Sequence, residues 1–324
     1  ELTRRRTIVG EEDSAGGVNR AIDESSCIAG RVIIAAGLNS LVESSAGDRY
    51  ECTVRRVLRT MSRDSRNVVV AGDRVLFQPI DGAHGVIERI EPRHGIISRA
   101  DDRKKHIIVA NVDQALIVVS ASDPPFKPNL VDRLLVSAQS GGVRPIICVN
   151  KVDLVGRERL QAWAGLYSRL GYDVVLASAV RGWGIPRLRG LLAGVETVVT
   201  GQSGVGKSSL LNSIQPGLTL ETGNISDWTR KGKHTTRKAM LLRLNAGGWV
   251  ADTPGIRQMQ LWNVPSTQLE AFFPEFRPFI PHCRFPDCTH RHEDGCRVKD
   301  GLERDLISPS RYASYRRLLA TDTD

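Results

Sequence analysis

The nine residues Gly201-Gln202-Ser203-Gly204-Val205-Gly206-Lys207-Ser208-Ser209 have the types and spacing to hold a chain of phosphates. The first eight fit the pattern G-x-x-x-x-G-K-[ST]. Its glycines let backbone N–H groups close around an anion with no Cβ in the way. Lys207 would neutralise the β- and γ-phosphates of a nucleoside triphosphate, and the Ser208 hydroxyl would coordinate Mg2+. All nine residues are therefore expected to line a nucleotide. An apolar run, "TVVT", precedes them and a helix-like run, "SSLLNSI", follows. That is the strand–loop–helix setting this chemistry needs, with the positive end of the helix facing the phosphates.

Three further clusters complete a nucleotide site. "ADTPG" lies about fifty residues after the glycine loop. Its Asp252 would hold Mg2+ through water, and the Gly255 N–H would meet the γ-phosphate. Asn150-Lys151-x-Asp153 suits a guanine base. A carboxylate at Asp153 accepts from the ring N1–H and the exocyclic amine, a donor pair that adenine lacks, and Lys151 can lie along the base. A site built to bond such a pair discriminates strongly, because the wrong base leaves buried polar groups unpaired. In "LASAV", Ser178-Ala179 offers a backbone N–H to the guanine carbonyl. Between the glycine loop and Asp252 runs "SDWTRKGKHTTRKA", basic and polar as a mobile switch loop would be. Thr235 or Thr236 would add a hydroxyl to Mg2+. Where Ras-like enzymes carry a Gln that orients the attacking water, this chain has Ile256. Intrinsic hydrolysis is therefore expected to be slow, with His234 the candidate catalytic group alongside Lys207.

The order of these pieces is unusual. The base-reading cluster precedes the phosphate loop, which precedes the Mg2+ carboxylate. A sheet needs its strands adjacent in space and not in sequence, and domain ends commonly lie close together. The order therefore predicts a circularly permuted domain.

A separate cluster, Cys283-x4-Cys288-x-His290-x5-Cys296, brings three thiolates and an imidazole within fourteen residues. That set fits one closed, structural, tetrahedral Zn2+ site. His282 and His292 are rival ligands. Cys27, Cys52 and Cys148 are scattered and read as buried small hydrophobes.

The elements that must position these groups can be traced along the chain. Residues 1–26 are polar, open with Arg4 to Arg6, and read as a disordered tail. Residues 27–100 hold five short strands broken by turn residues, predicting a small closed barrel, an OB-fold ahead of an SH3-like one. Over 101–262, strands alternate with helical runs, predicting an α/β domain with a parallel sheet. Residues 263–324 are predicted to form an α-helical zinc-binding module ending in the basic helix "SRYASYRRLLA". The whole is a multidomain chain of 324 residues with a formal charge of +9. That charge is compatible with a nucleic-acid partner. Arg284, Arg291, Arg297 and Lys299, with Arg311, Arg316 and Arg317, are expected to face RNA. Aromatic residues make up 5% of the chain, too few for a large base-stacking platform. No apolar run is long enough to span a bilayer. The chain opens on Glu1 without a charged-then-apolar leader, and it reads as cytoplasmic, monomeric and without a membrane partner.

With "NKVD", "SAV", "GQSGVGKSS", "KGKHTT" and "DTPGIR" in that order, followed by the zinc pattern, the chain resembles the ribosome small-subunit-dependent GTPases of the RsgA (YjeQ) family. The resemblance covers everything from Cys27 onward. It implies hydrolysis of GTP to GDP, stimulated by the small ribosomal subunit and its rRNA, during late maturation of that subunit. It also implies that His234 matches the switch histidine proposed as catalytic in the family. The competing expectation is a nucleotide-gated rRNA-binding module with incidental hydrolysis.

Overall fold

A computed structural model describes residues 24–37, 39–55, 58, 68–101, 104–218, 239–252, 264 and 266–320. The five expected short strands are present: β1 (Ile28–Ala36), β2 (Asn39–Ser44), β3 (Arg49–Val54), β4 (Arg74–Pro79) and β5 (His84–Ile90). β1 pairs with both β2 and β4, and β3 pairs with β5, so the sheet closes on itself as an OB-like barrel. Val32, Val42, Cys52, Val75, Phe77 and Ile87 fill it. Closure satisfies the strand edges that an open five-stranded sheet would leave exposed.

A hairpin, β6 (Ile97–Asp101) and β7 (Lys104–Val109), follows. The apolar run 106–110 is thus a hairpin arm, and the next one, 115–119, is the first strand of the α/β sheet. That domain runs β8 (Gln114–Ser120), α1 (Pro128–Ser140), β9 (Arg144–Asn150), α2 (Arg157–Arg169), β10 (Asp173–Leu176), α3 (Ile185–Leu192), β11 (Glu196–Thr200) and α4 (Lys207–Ile214). Two further strands, β12 (Met240–Arg243) and β13 (Trp249–Asp252), complete it. The strand order is β10-β9-β8-β11-β13-β12, all parallel except β12. β8 is buried along its whole length, as the centre of a two-sided parallel sheet must be.

Barrel and α/β sheet are continuous. β1 pairs antiparallel with β12 through Ile34 and Met240. A register shift between Val32 and Ile34 lets the strand serve both domains: Val32 packs in the barrel, while Ile33 and Ile34 join the α/β core. A bulge re-aims side chains in this way.

The C-terminal module contains α5 (Ser266–Leu269), short 3-10 turns, α6 (Arg297–Glu303) and α7 (Pro309–Ala320). Its core of Phe273, Phe276, Ile307, Tyr315 and Leu318 also takes in Val136 of α1. Arg311 departs from the RNA-facing expectation. It is 1% exposed, and it donates to Asp132 Oδ1 of α1 at 2.6 Å and to Glu275 at 2.7 Å. Burial opposes its charged form, but the two carboxylates outweigh that and raise its pKa. The basic run therefore has an inner face that bonds the module to α1 and an outer face, carrying Arg316 and Arg317, that is exposed. Of the scattered cysteines, Cys52 and Cys148 are buried, with thiols pushed up to about 12 by burial, while Cys27 is half-buried.

Candidate nucleotide site and metal centre

The parallel strands deliver their motifs to one edge. β9 ends at Asn150, β10 ends two residues before Ser178, β11 ends one residue before Gly201, and β13 ends at Asp252. Loops at the carboxyl ends of such strands form the usual ligand crevice.

Asn150 binds three of these segments together. It is buried, its Nδ2 donates to the carbonyl of Val205 at 2.9 Å, and its Oδ1 accepts from the Ala179 N–H at 3.2 Å. The phosphate loop and both base-reading segments are thus fixed to one side chain. Gly206 makes that approach possible. Its φ is 89°, and a Cβ there would lie 2.5 Å from Asn150 Nδ2. At the other end of the loop, a Cβ on Gly201 would come within 2.0 Å of the Val118 carbonyl. The loop can lie against β8 and Asn150 only because both positions lack side chains.

Within the loop, Gln202 is half-buried, Ser203 and Gly204 are exposed, and Val205 is buried in the α/β core. Lys207 Nζ donates to the carbonyls of Gly201 and Gln202, each at 2.8 Å, which holds the ammonium at the loop. Ser208 and Ser209 are exposed in the first turn of α4, whose capping residue, Gly206, offers no side-chain cap. The amide end of the helix is therefore left to a ligand. Asp252 lies opposite Val199 in the β11–β13 register, one strand from the start of the loop. Lys151 has a left-handed φ of 62°, and its ammonium donates to the carbonyl of Asp123. Asp153 is half-buried in the following 3-10 turn. Ser178 is buried, with its hydroxyl accepting from the Arg181 N–H at 3.1 Å, which shapes the turn presenting Ala179. His234, Thr235, Thr236, Gly255 and Ile256 lie outside the described residues.

The second centre gathers Cys283, Cys288, His290 and Cys296, whose ligand atoms all lie within 4.8 Å of one another. His290 Nδ1 stands 3.6 Å from Cys283 Sγ and 3.3 Å from Cys296 Sγ. A tetrahedron of metal–sulfur bonds about 2.3 Å long has edges near these lengths. His282 and His292 are exposed and outside the group. Burial pushes the Cys288 thiol up to about 12 and raises that of Cys296. Such thiols become thiolates only beside a cation, so the donor set fits a metal ion.

Sequence reasoning missed three supports of this centre. Glu270 lies 2.7 Å from His290 Nε2, which orients the ring and leaves Nδ1 for the cluster. The Tyr312 hydroxyl donates to the His290 carbonyl at 2.6 Å, and that of Tyr315 to the Thr289 carbonyl at 3.0 Å. Glu270 comes twenty residues before its partner and has no ligand spacing that would reveal it. The tyrosines stand at i and i+3 on a helix, which reads equally well as ordinary core.

A phosphate-binding loop joined by one asparagine to a base-reading loop, on a sheet whose motifs run in rotated order, defines a circularly permuted P-loop GTPase. Comparisons with known proteins agree. Residues 90–262 match the RsgA GTPase family. The Small ribosomal subunit biogenesis GTPase RsgA of Ruminiclostridium cellulolyticum is 43% identical, covering 87% of this chain and 89% of that one. Its counterpart from Azotobacter vinelandii is 40% identical over 90% of this chain and 85% of its own. Among solved structures, YjeQ from Thermotoga maritima superposes with a TM-score of 0.75 at 32% identity, covering 92% of this chain and 99% of that one. YloQ, described as a circularly permuted GTPase, gives 0.72 at 29% identity, covering 94% and 98%. The chain belongs to the RsgA GTPase family and is a GTP-hydrolysing enzyme.

Proposed function

We propose that this enzyme hydrolyses GTP to GDP and phosphate under stimulation by the small ribosomal subunit, during late maturation of that subunit, as a cytoplasmic monomer. The observation that carries the nucleotide reading is Asn150, which bonds the phosphate loop at Val205 and the base-reading loop at Ala179. One nucleotide of fixed length then meets both. Asp153, beside Asn150, accepts from guanine, and the Ala179 segment faces the guanine carbonyl. The subunit reading rests on the names of the relatives and on the net positive charge of the chain.

In the reaction, water attacks the γ-phosphorus in line. A P–O bond forms, the bond to the β–γ bridging oxygen breaks, and the water proton leaves with phosphate. Amides of Gly204 to Ser208 and the Lys207 ammonium stabilise the charge that develops. Ser208 and Asp252 would hold Mg2+, which neutralises the β- and γ-oxygens when bound. Cys283, Cys288, His290 and Cys296 would hold Zn2+ as a structural ion, three thiolates and an imidazole being a common set for that metal. His234 would complete the machinery at the ribosomal site, with Thr235 or Thr236 as a further Mg2+ ligand and the Gly255 N–H on the γ-phosphate.

Single-turnover GTP hydrolysis with and without purified small subunits tests this directly. Stimulation of a hundredfold or more is expected; an unchanged rate would point instead to a nucleotide-gated RNA-binding module. Asp153→Asn should move preference from guanine to xanthine nucleotides, measured by competition binding. Unaltered preference would remove Asp153 from base reading.

A further inference from the structure

The loop between β8 and α1, residues 121–127, touches both the base-reading segment and the phosphate loop. At its start the Ala121 N–H donates to the Asn150 carbonyl at 2.8 Å. The Asp123 carbonyl accepts from the Lys151 ammonium and from Ser120 Oγ, the latter at 3.0 Å. Pro124 stands 3.6 Å from the place a Cβ on Gly204 would take. A shift of this loop therefore moves contacts made by Lys151 and by Gly204.

Aromatic packing fixes the far end of the loop. Phe126 sets its ring 4.7 Å from that of Trp163 and 6.4 Å from that of Tyr167, centroid to centroid. Trp163 and Tyr167 are four residues apart on α2 and so share one face. Tyr167 is 1% exposed, and its hydroxyl donates to Asp132 Oδ1 of α1 at 2.8 Å. Burial and that carboxylate raise its pKa, so the phenol stays a donor. The same Asp132 oxygen accepts from Arg311 of α7, whose guanidinium carbon stands 5.9 Å from the centre of the Tyr167 ring. Tyr167 thus meets both the zinc module, through Arg311, and the loop, through Phe126.

We infer that Phe126 and Tyr167 are positioning residues for the guanine nucleotide. They hold the 121–127 loop where it supports Lys151 and Gly204, and through Arg311 they make nucleotide affinity depend on the docked zinc module. Neither side chain has to reach the nucleotide for this. Aromatic pairs contribute up to about tenfold in an equilibrium constant, enough to be read in binding. Such coupling is reciprocal, so a bound nucleotide must tighten the docking of α7 by the same factor. The coupling presupposes the nucleotide site proposed above and is independent of the ribosomal reading.

A fluorescent GDP analogue titrated into the full chain with zinc bound tests this, read as a dissociation constant and a number of sites. Wild type should bind the analogue at a single site and release it to GDP but not to ADP. Phe126→Ala should weaken binding on the order of tenfold with the number of sites unchanged. A merely structural defect would do the reverse, lowering the number of sites and leaving the constant of the folded fraction as it was. Arg311→Ala should weaken binding about fivefold, near the low end of measured couplings. Tyr167→Phe, which keeps the ring and loses the bond to Asp132, should weaken it about threefold and serves in place of Arg311→Ala if that variant does not fold. In a Phe126→Ala background each should add less than about twofold, the scatter expected of independent sites, because the loop is already released. Effects that multiply in full would mean that module and loop act separately, and would overturn the inference. Saturating GDP should also slow hydrogen exchange in α7 more than in β2 to β5, and Phe126→Ala should lose that difference. Wild-type constants in every variant would overturn the coupling and leave the nucleotide site standing. A wild-type chain that does not bind the analogue, or releases it equally to ADP, would overturn both.

Discussion

Asn150 and Gly206 show how closely the two halves of a nucleotide site can be tied. The asparagine amide spans from the Val205 carbonyl to the Ala179 N–H, and it fits only because position 206 carries no side chain. Gly206→Ala would combine a left-handed backbone, costing an L-residue roughly 1–2 kcal/mol, with a clash against a buried side chain. We expect at least tenfold weaker binding of a fluorescent GDP analogue in titration, with the unfolding midpoint lowered. Asn150→Ala should lower affinity by a different route, leaving Val205 O and Ala179 N without the asparagine at roughly 1–3 kcal/mol per buried group. Asn150→Asp separates the two functions of the amide: the new oxygen can still accept from Ala179 but repels the Val205 carbonyl. It should therefore bind the analogue more weakly than wild type. Equal affinity would mean that the bridge to the phosphate loop contributes nothing.

At the scale of elements, what could be read from the sequence divides along a physical line. Strand runs such as "RVLFQP" and the fully apolar "ALIVV" carry their burial in their own pattern, so β4 and β8 were legible, as were the alternation of strands with helices along the α/β domain and the metal-ligand spacing. Pairing between domains has no local signature. Nothing in "RVIIAA" says that Ile34 will sit opposite Met240, or that a bulge will turn two isoleucines toward the neighbouring core. The basic run in α7 misled for a related reason: a row of arginines reads as a solvated face until the partner carboxylates, 36 and 179 residues away, are placed beside one of them. That same arginine makes α7 the strut between domains. Arg311→Ala would leave Asp132 and Glu275 buried without their cation, a loss of about 3–5 kcal/mol for a broken buried pair. Hydrogen exchange should quicken in α7 and on the facing side of α1, while β2 to β5 of the barrel stay protected. Arg311→Lys should recover less than half of the protection, because a single ammonium cannot match the forked geometry that reaches both carboxylates. Full recovery by lysine would mean that charge alone holds the helix.

Across the whole molecule, the metal centre, α7 and the nucleotide domain form one chain of contacts. Cys283, Cys288, His290 and Cys296 gather on one loop where they could hold a metal ion, Tyr312 and Tyr315 bond its carbonyls to α7, and Arg311 bonds α7 to α1. The α1 end of that chain lies just beyond the loop carrying Asp123, which touches Lys151 of the base-reading segment. By contrast, the barrel joins through the opposite side of the sheet, at β1 and β12. Metal removal should therefore act unevenly. The free energy of a structural metal site is folding free energy, and two of its thiols are held unfavourably for ionisation without a cation. Treatment with a strong chelator, followed by hydrogen exchange, should release residues 270–320 first and then loosen α1. The barrel and the β8–β11–β13 centre of the sheet should keep their protection. Zinc added back in slight excess should restore the pattern, with one equivalent bound by elemental analysis. If chelation leaves α7 and α1 as protected as before, the cluster is not what holds the module to the nucleotide domain, and the Arg311 pair and the aromatic core must suffice without it.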